Sequence, residues 1–177
     1  MLTTERIVLR PWRDADLEPF VAMGTDPEVM RHFPALLTPD DSAAMVGRIR
    51  DHFDREGFGL WAVEVPGIAP FVGFTGLMRP RWRPESVEVG WRLARAHWGS
   101  GYATEAARAS LAFGFETLAL AEIVSFVLPE NLPSQRVMAR LGMVRDWNGD
   151  FEHPSVPVGH PMRPHWLFKL PAPERPV

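Results

Sequence analysis

The chain has 177 residues, 46% of them hydrophobic and 23% charged, with a formal net charge of −3. That length suits one domain with a sizeable core, and the mild acidity argues against nucleic-acid binding through a broad basic surface. Cysteine is absent, which excludes disulfides, thiolate metal sites and any acyl-cysteine intermediate.

The opening residues lead straight into a strand pattern at Arg6 to Arg10, closed by Pro11. No signal-peptide pattern precedes it, and no run approaches the roughly 18 apolar residues of a membrane span. A cytoplasmic protein with no membrane partner is expected. Asp14 is a fair N-cap for a helix through about Met23, and Asp26-Pro27-Glu28 looks like a second helix start. Thr38-Pro39-Asp40-Asp41 repeats the device for a helix to about Arg55, ended by Gly57 and Gly59. Strands are predicted at 60–65, 71–78 and 86–93, joined too closely for parallel crossovers and so antiparallel. In the third, Val87, Val89, Trp91 and Leu93 share one face, and Glu88, Gly90 and Arg92 the other.

A helix is predicted from Gly101 to about Leu118, with Ala103, Ala107, Ser110 and Gly114 as a small-residue stripe for close packing on a sheet. The β-rich run 122–128 follows a strand and a helix, so it should lie parallel to 86–93 by a right-handed crossover. Asn131 opens another helix, which Gly142 stops. Strands at 143–151 and 163–170 are joined by the proline-rich 153–162 loop. Residues 1–171 thus read as one domain and 172–177 as a loose tail. The fold class is α/β (α+β): a mixed, mostly antiparallel sheet with a central parallel pair, flanked by helices.

The chemistry centres on Trp98-Gly99-Ser100-Gly101-Tyr102-Ala103-Thr104. Two glycines before a helix start permit a tight turn whose N–H groups, with the helix dipole, hold phosphate or pyrophosphate. The pattern is neither the dinucleotide fingerprint nor a P-loop. Two helix N-termini, near Gly101 and near Asn131, follow the parallel strands and should point into one crevice, where ligands of such sheets bind. A diphosphate head with an amide-bearing arm describes coenzyme A.

W-G-S-G-Y-A-T-E-A, followed by N-L-P-S-Q-R-V-M-A-R-L-G-M, resembles the GNAT acyltransferase superfamily. With T-E-R-I-V-L-R-P-W and D-P-E-V-M-R, the chain looks most like the branch that includes the ribosomal-protein N-terminal acetyltransferases. The resemblance covers nearly the whole chain. It implies a single GNAT domain, its central parallel pair splayed, that binds acetyl-CoA and acetylates a primary amine, a protein N-terminus or a small molecule; no metal is expected. Trp98 stands where the family has Gln or Arg, Gly101 at its glycine and Ala103 at its last position. Leu93 falls where family members pair backbone with the pantetheine arm, and Asn131 and Ser134 match the Asn-x-x-Ser beside it. A bulge in the 86–93 strand is also implied.

Without cysteine, the expected route is direct attack of a neutral amine on the thioester, with a carboxylate accepting the proton. Glu88 is the preferred base and Ser134 the candidate that helps the leaving thiolate. Glu105, in a helix first turn, is explained by the dipole. Arg95 is the preferred side-chain phosphate contact, ahead of His97. His153, His160 and His165 match no zinc spacing and are placed around the acceptor. Rival readings are a catalytically inactive CoA-binding regulatory module and a nucleotide-binding protein. An exposed sheet edge or the 153–162 loop could support a homodimer.

Overall fold

The computed structural model describes residues 1–174; the last three positions of the tail predicted at 172–177 lie outside them. Ala172 donates to the Ala121 carbonyl at 2.8 Å, so this first tail residue is tied to the sheet rather than loose.

Strands β1 (Leu2–Thr3) and β2 (Val8–Arg10) precede helices α1 (Leu17–Thr25) and α2 (Pro39–Glu56). Strands β3 (Leu60–Val65), β4 (Ala69–Met78) and β5 (Glu88–Leu93) form the antiparallel meander. Helix α3 (Tyr102–Glu116), strand β6 (Glu122–Val127), helix α4 (Leu132–Arg140) and strands β7 (Val144–Glu152) and β8 (Pro164–Pro171) complete the chain. Among the described residues all eight strands join one sheet in the order β1-β2-β3-β4-β5-β6-β8-β7, with β5 and β6 its parallel neighbours.

Helices cover both faces. Apolar residues of α1 and α2, among them Phe20, Met23, Val46 and Ile49, pack with Leu60, Phe71 and Phe74 of the sheet. On the other face Ala107 and Leu111 of α3 meet Leu77, Val89 and Ile123. The small-residue stripe does what its sizes suggest. A Cβ at Gly114 would stand 2.6 Å from Ile123 Cδ1 and 2.9 Å from Leu77 Cδ1, so anything larger would push α3 off the sheet.

Four expectations are corrected. Asp14 is not a helix N-cap: residues 14–16 form a 3-10 turn, and Asp16 caps it by accepting from the Arg13 N–H at 2.7 Å. Asp26-Pro27-Glu28 opens no helix. The Asp26 carboxylate accepts from the Glu28 N–H at 2.8 Å in a local turn, and Leu37 N–H then bonds back to the Gly24 carbonyl, folding the segment against α1. The first strand starts at Val8 rather than Arg6, with the short β1 paired outside it. Finally, β5 has no bulge: its pairing with β4 runs from Gly73↔Leu93 to Met78↔Glu88 without a shift. The irregular backbone sits on β4, where Gly73 adopts φ 139° and a Cβ would lie 2.2 Å from the Arg92 carbonyl oxygen. Because β5 stays regular, Glu88, Gly90 and Arg92 keep a common face.

One buried ion pair anchors the first strand. The Arg10 guanidinium bonds both Asp16 oxygens at 2.7 Å, Glu64 at 2.7 Å, and the Pro11 and Pro70 carbonyls. Burial works against the Asp16 carboxylate, but Arg10 and the Arg13 N–H hold its pKa below the ordinary value. Asp16→Ala leaves the arginine charge without its main partner. The expected loss is about 3–5 kcal/mol of stability, read as a lower urea midpoint with the slope unchanged.

Candidate active site

The parallel pair is joined at a single register, Glu88↔Val124, with Val124 N–H donating to the Val87 carbonyl at 2.9 Å. The next bond across the gap comes from a side chain: Ser125 Oγ donates to the Val89 carbonyl at 2.9 Å. Beyond it the strands part. Successive strand residues direct their backbone groups to opposite sides. Ala94 N–H reaches Val72 on β4, so the odd-numbered residues 89, 91 and 93 turn theirs toward the opening. The Leu93 carbonyl is taken there by Trp98 Nε1 at 2.8 Å. The Trp91 and Leu93 N–H groups face the same gap.

At the carboxyl end of β5 the glycine turn leads into the N-terminus of α3. Gly99 and Gly101 have φ of 76° and 84°, and Gly101 is the left-handed N-cap of α3. The first helical bond runs from Glu105 N–H to the Gly101 carbonyl, so the N–H groups of Tyr102, Ala103 and Thr104 have no intrahelical partner. The turn is braced from outside. Glu105 accepts from Thr4 Oγ1 at 2.6 Å, from Arg6 N–H at 3.1 Å and from Arg6 Nε at 2.7 Å, while Arg6 Nη1 bonds the Ser100 carbonyl at 3.0 Å. Glu105 is therefore a brace as well as a dipole partner. The adjoining groove of about 1050 Å³ also gathers the cations Arg6, Arg108, Arg136 and Arg140. Free N–H groups, positive φ and a cationic rim suit a diphosphate.

A second cavity of about 460 Å³ lies where the strands part, walled by Glu88, Gly90, Ser125 and Phe126 from the sheet and by His153 and His165 beyond it. It shares Trp91, Arg92, Asn131 and Ser134 with the groove, and His32 and Phe33 from the α1–α2 connection. The two cavities thus adjoin where the strands part. Burial pushes the Glu88 carboxyl up to about 8, against a hydrogen bond from the Phe126 main chain that draws it down. The His153 and His165 rings lie 4.9 Å apart, and burial lowers the pKa of both.

The structure brings Leu93, Trp98, Gly99, Ser100, Gly101, Tyr102, Ala103, Thr104, Asn131 and Ser134 to the groove, and Glu88 to the inner cavity. Asn131 caps α4 by accepting from Ser134 N–H at 3.2 Å. Arg95 is not brought there. It stands exposed in the 3-10 turn 95–97, and His97 is the member of that turn that lines the groove. Sequence reasoning missed Arg6, Arg108, Arg136 and Arg140, which converge from three separate elements. The one available signal was the spacing of Arg136 and Arg140, a helical turn apart in the segment after Asn131.

Residues 6–144 match the family described as the acetyltransferase (GNAT) domain. The chain is 33% identical over 154 residues to the uncharacterized protein YkkB of Bacillus subtilis (strain 168), spanning 83% of this chain and 90% of that one. It is 29% identical to the uncharacterized N-acetyltransferase YnaD of the same organism, over 90% and 89% of the two chains. A GNAT-family acetyltransferase from Bacillus anthracis superimposes with a TM-score of 0.81 at 27% identity, covering 97% of this chain and 98% of that one.

Proposed function

The chain belongs to the acetyltransferase (GNAT) family, and from that premise we propose that it transfers an acetyl group from acetyl-CoA to a primary amine by direct attack in a ternary complex. The observation that carries this reading is the opening between β5 and β6, which joins the anion cradle to the cavity holding Glu88. When bound, acetyl-CoA supplies a thioester whose acyl carbon exchanges its bond to sulfur for a bond to the amine nitrogen.

The N–H groups from Gly99 to Thr104 hold the diphosphate, with Arg6, Arg108 and Arg140 neutralising the phosphates around it. The Leu93 N–H and the Asn131 carboxamide meet the arm. The Trp91 N–H, aimed into the gap, polarises the acyl carbonyl. Glu88 takes the proton that the ammonium form of the acceptor must lose. A carboxylate titrating near 8 is a stronger base than an ordinary glutamate and sits close to the pKa of an α-amine, about 8. Ser134 Oγ–H, at the junction of the two cavities, donates a hydrogen bond to the departing sulfur, which leaves as a thiolate and takes up the proton that Glu88 received from the amine. The acceptor is a protein N-terminus or a small amine.

Two measurements test this. CoA should raise Tm more than ATP or NAD does; a larger shift with either nucleotide rejects the cradle assignment. CoA release from acetyl-CoA should depend on added amine; tight CoA binding with no amine-dependent release across a broad panel marks a binding module instead.

A further inference from the structure

Arg10 and Arg92 are both largely withdrawn from water, and they are treated oppositely. Arg10 has five hydrogen-bond acceptors. Arg92 has none: its Nε and Nη1 are buried without a partner, and no carboxylate pairs with it among the described residues. Its guanidinium lies 4.0 Å from the Phe33 ring centroid and 5.4 Å from that of Phe74. Ring stacking compensates the face of the cation. It leaves the in-plane N–H donors unused, and buried charged donors left unused are costly. Burial without a counter-charge lowers the Arg92 pKa to about 10.

Position says what is missing. Arg92 shares its strand face with Glu88, four residues and about 13 Å along the chain. Gly90 lies between them, and a Cβ there would meet nothing within 4 Å. Arg92 and Glu88 therefore bound one vacant stretch of the inner cavity, cationic at one end and titratable at the other. The phosphate cradle lies past Leu93, across the opening, and has its own cations. A planar fork of N–H donors selects a planar pair of oxygens.

We propose that Arg92 receives a carboxylate of the acceptor, so that the substrate class is amines that carry a free carboxylate, amino acids or short peptides, rather than polyamines or simple alkylamines. This rests on the acetyltransferase reading above and narrows its acceptor.

The test compares an α-amino acid, its primary amide and its decarboxylated amine, with the wild-type protein and with Arg92→Met and Arg92→Lys. Wild type should favour the acid over the amide by roughly 30-fold or more in kcat/KM. In Arg92→Met that ratio should fall to about 1, with the KM for acetyl-CoA unchanged, and Arg92→Lys should lie between. Equal use of acid and amide by wild type overturns the proposal. So does an Arg92→Met variant that keeps the ratio while its KM for acetyl-CoA rises, since Arg92 then serves the donor. Thermal shift with the same three ligands is the readout independent of turnover. If no amine is acetylated yet the acids alone stabilise wild type and not Arg92→Met, the carboxylate site stands and the transferase reading fails. If acids and amides shift Tm equally, the carboxylate site fails.

Discussion

Glu88→Gln should lower kcat/KM by about 100- to 1000-fold and leave CoA affinity unchanged. The glutamine keeps the volume and loses the proton-accepting oxygen. The pH profile identifies the group. With an acceptor whose amine ionises well below 8, so that its own titration falls outside the window, burial that lifts the Glu88 carboxyl to about 8 should make wild-type kcat/KM climb as pH rises through 8, and the variant should lack that limb. Stability should move the other way. The folded state holds this proton more tightly than the unfolded chain, whose glutamates ionise near 4.5. Wild type therefore loses stability as pH rises from about 4.5 to about 8, and the Tm advantage of Glu88→Gln should grow over that window and then level off. A variant with the wild-type rate removes Glu88 as the base.

Gly101→Val should weaken CoA binding by about 100-fold or more, with no comparable loss of fold. The residue adopts φ 84° as the N-cap of α3, a region that a β-branched side chain occupies only with strain of about 1–2 kcal/mol. The protein itself leaves room there, since an added Cβ would meet only Arg6 Nη2 at 3.4 Å. The loss should come from a turn that relaxes and re-aims its N–H groups, each worth about 1.5–3 kcal/mol to a charged ligand. Gly101→Asn separates conformation from crowding, because asparagine tolerates the left-handed region. Titration calorimetry should find CoA affinity largely kept in Gly101→Asn. Equal loss in both variants points to ligand crowding, and unchanged affinity in Gly101→Val rejects the cradle.

What could be read from the residues was what short-range rules decide. Thr38 and Asp41 cap each other across three positions, and the helix after them stands as predicted. The glycine turn, the alternation along β5 and the parallel pairing with β6 are likewise local pattern or local handedness. Asp26-Pro27-Glu28 misled because an Asx turn and a helix start share their first three residues. The bond that diverts the chain, Leu37 N–H to Gly24, lies beyond any such window. Asp16 was not singled out because its partner Arg10 reaches it only when β2 docks against β3. Arg92 was read only as sharing a strand face with Glu88 and Gly90. Its burial depends on Phe33, in a connection whose course nothing near Arg92 specifies. Helix α4 placed Asn131 and Ser134 from an identifiable motif, whereas the cations of the groove meet only in three dimensions.

The bridge from Arg6 to Glu105 closes 99 residues of chain. A nascent polypeptide must carry its opening segment without that partner until the start of α3 has left the ribosome. The glycine turn proposed to hold the diphosphate therefore acquires its brace late, after β2 through β5 can already have paired. Recovery of donor affinity during refolding should accordingly lag the appearance of β-structure, reporting the docking of α3 beside the β1–β2 connection rather than closure of any one hairpin.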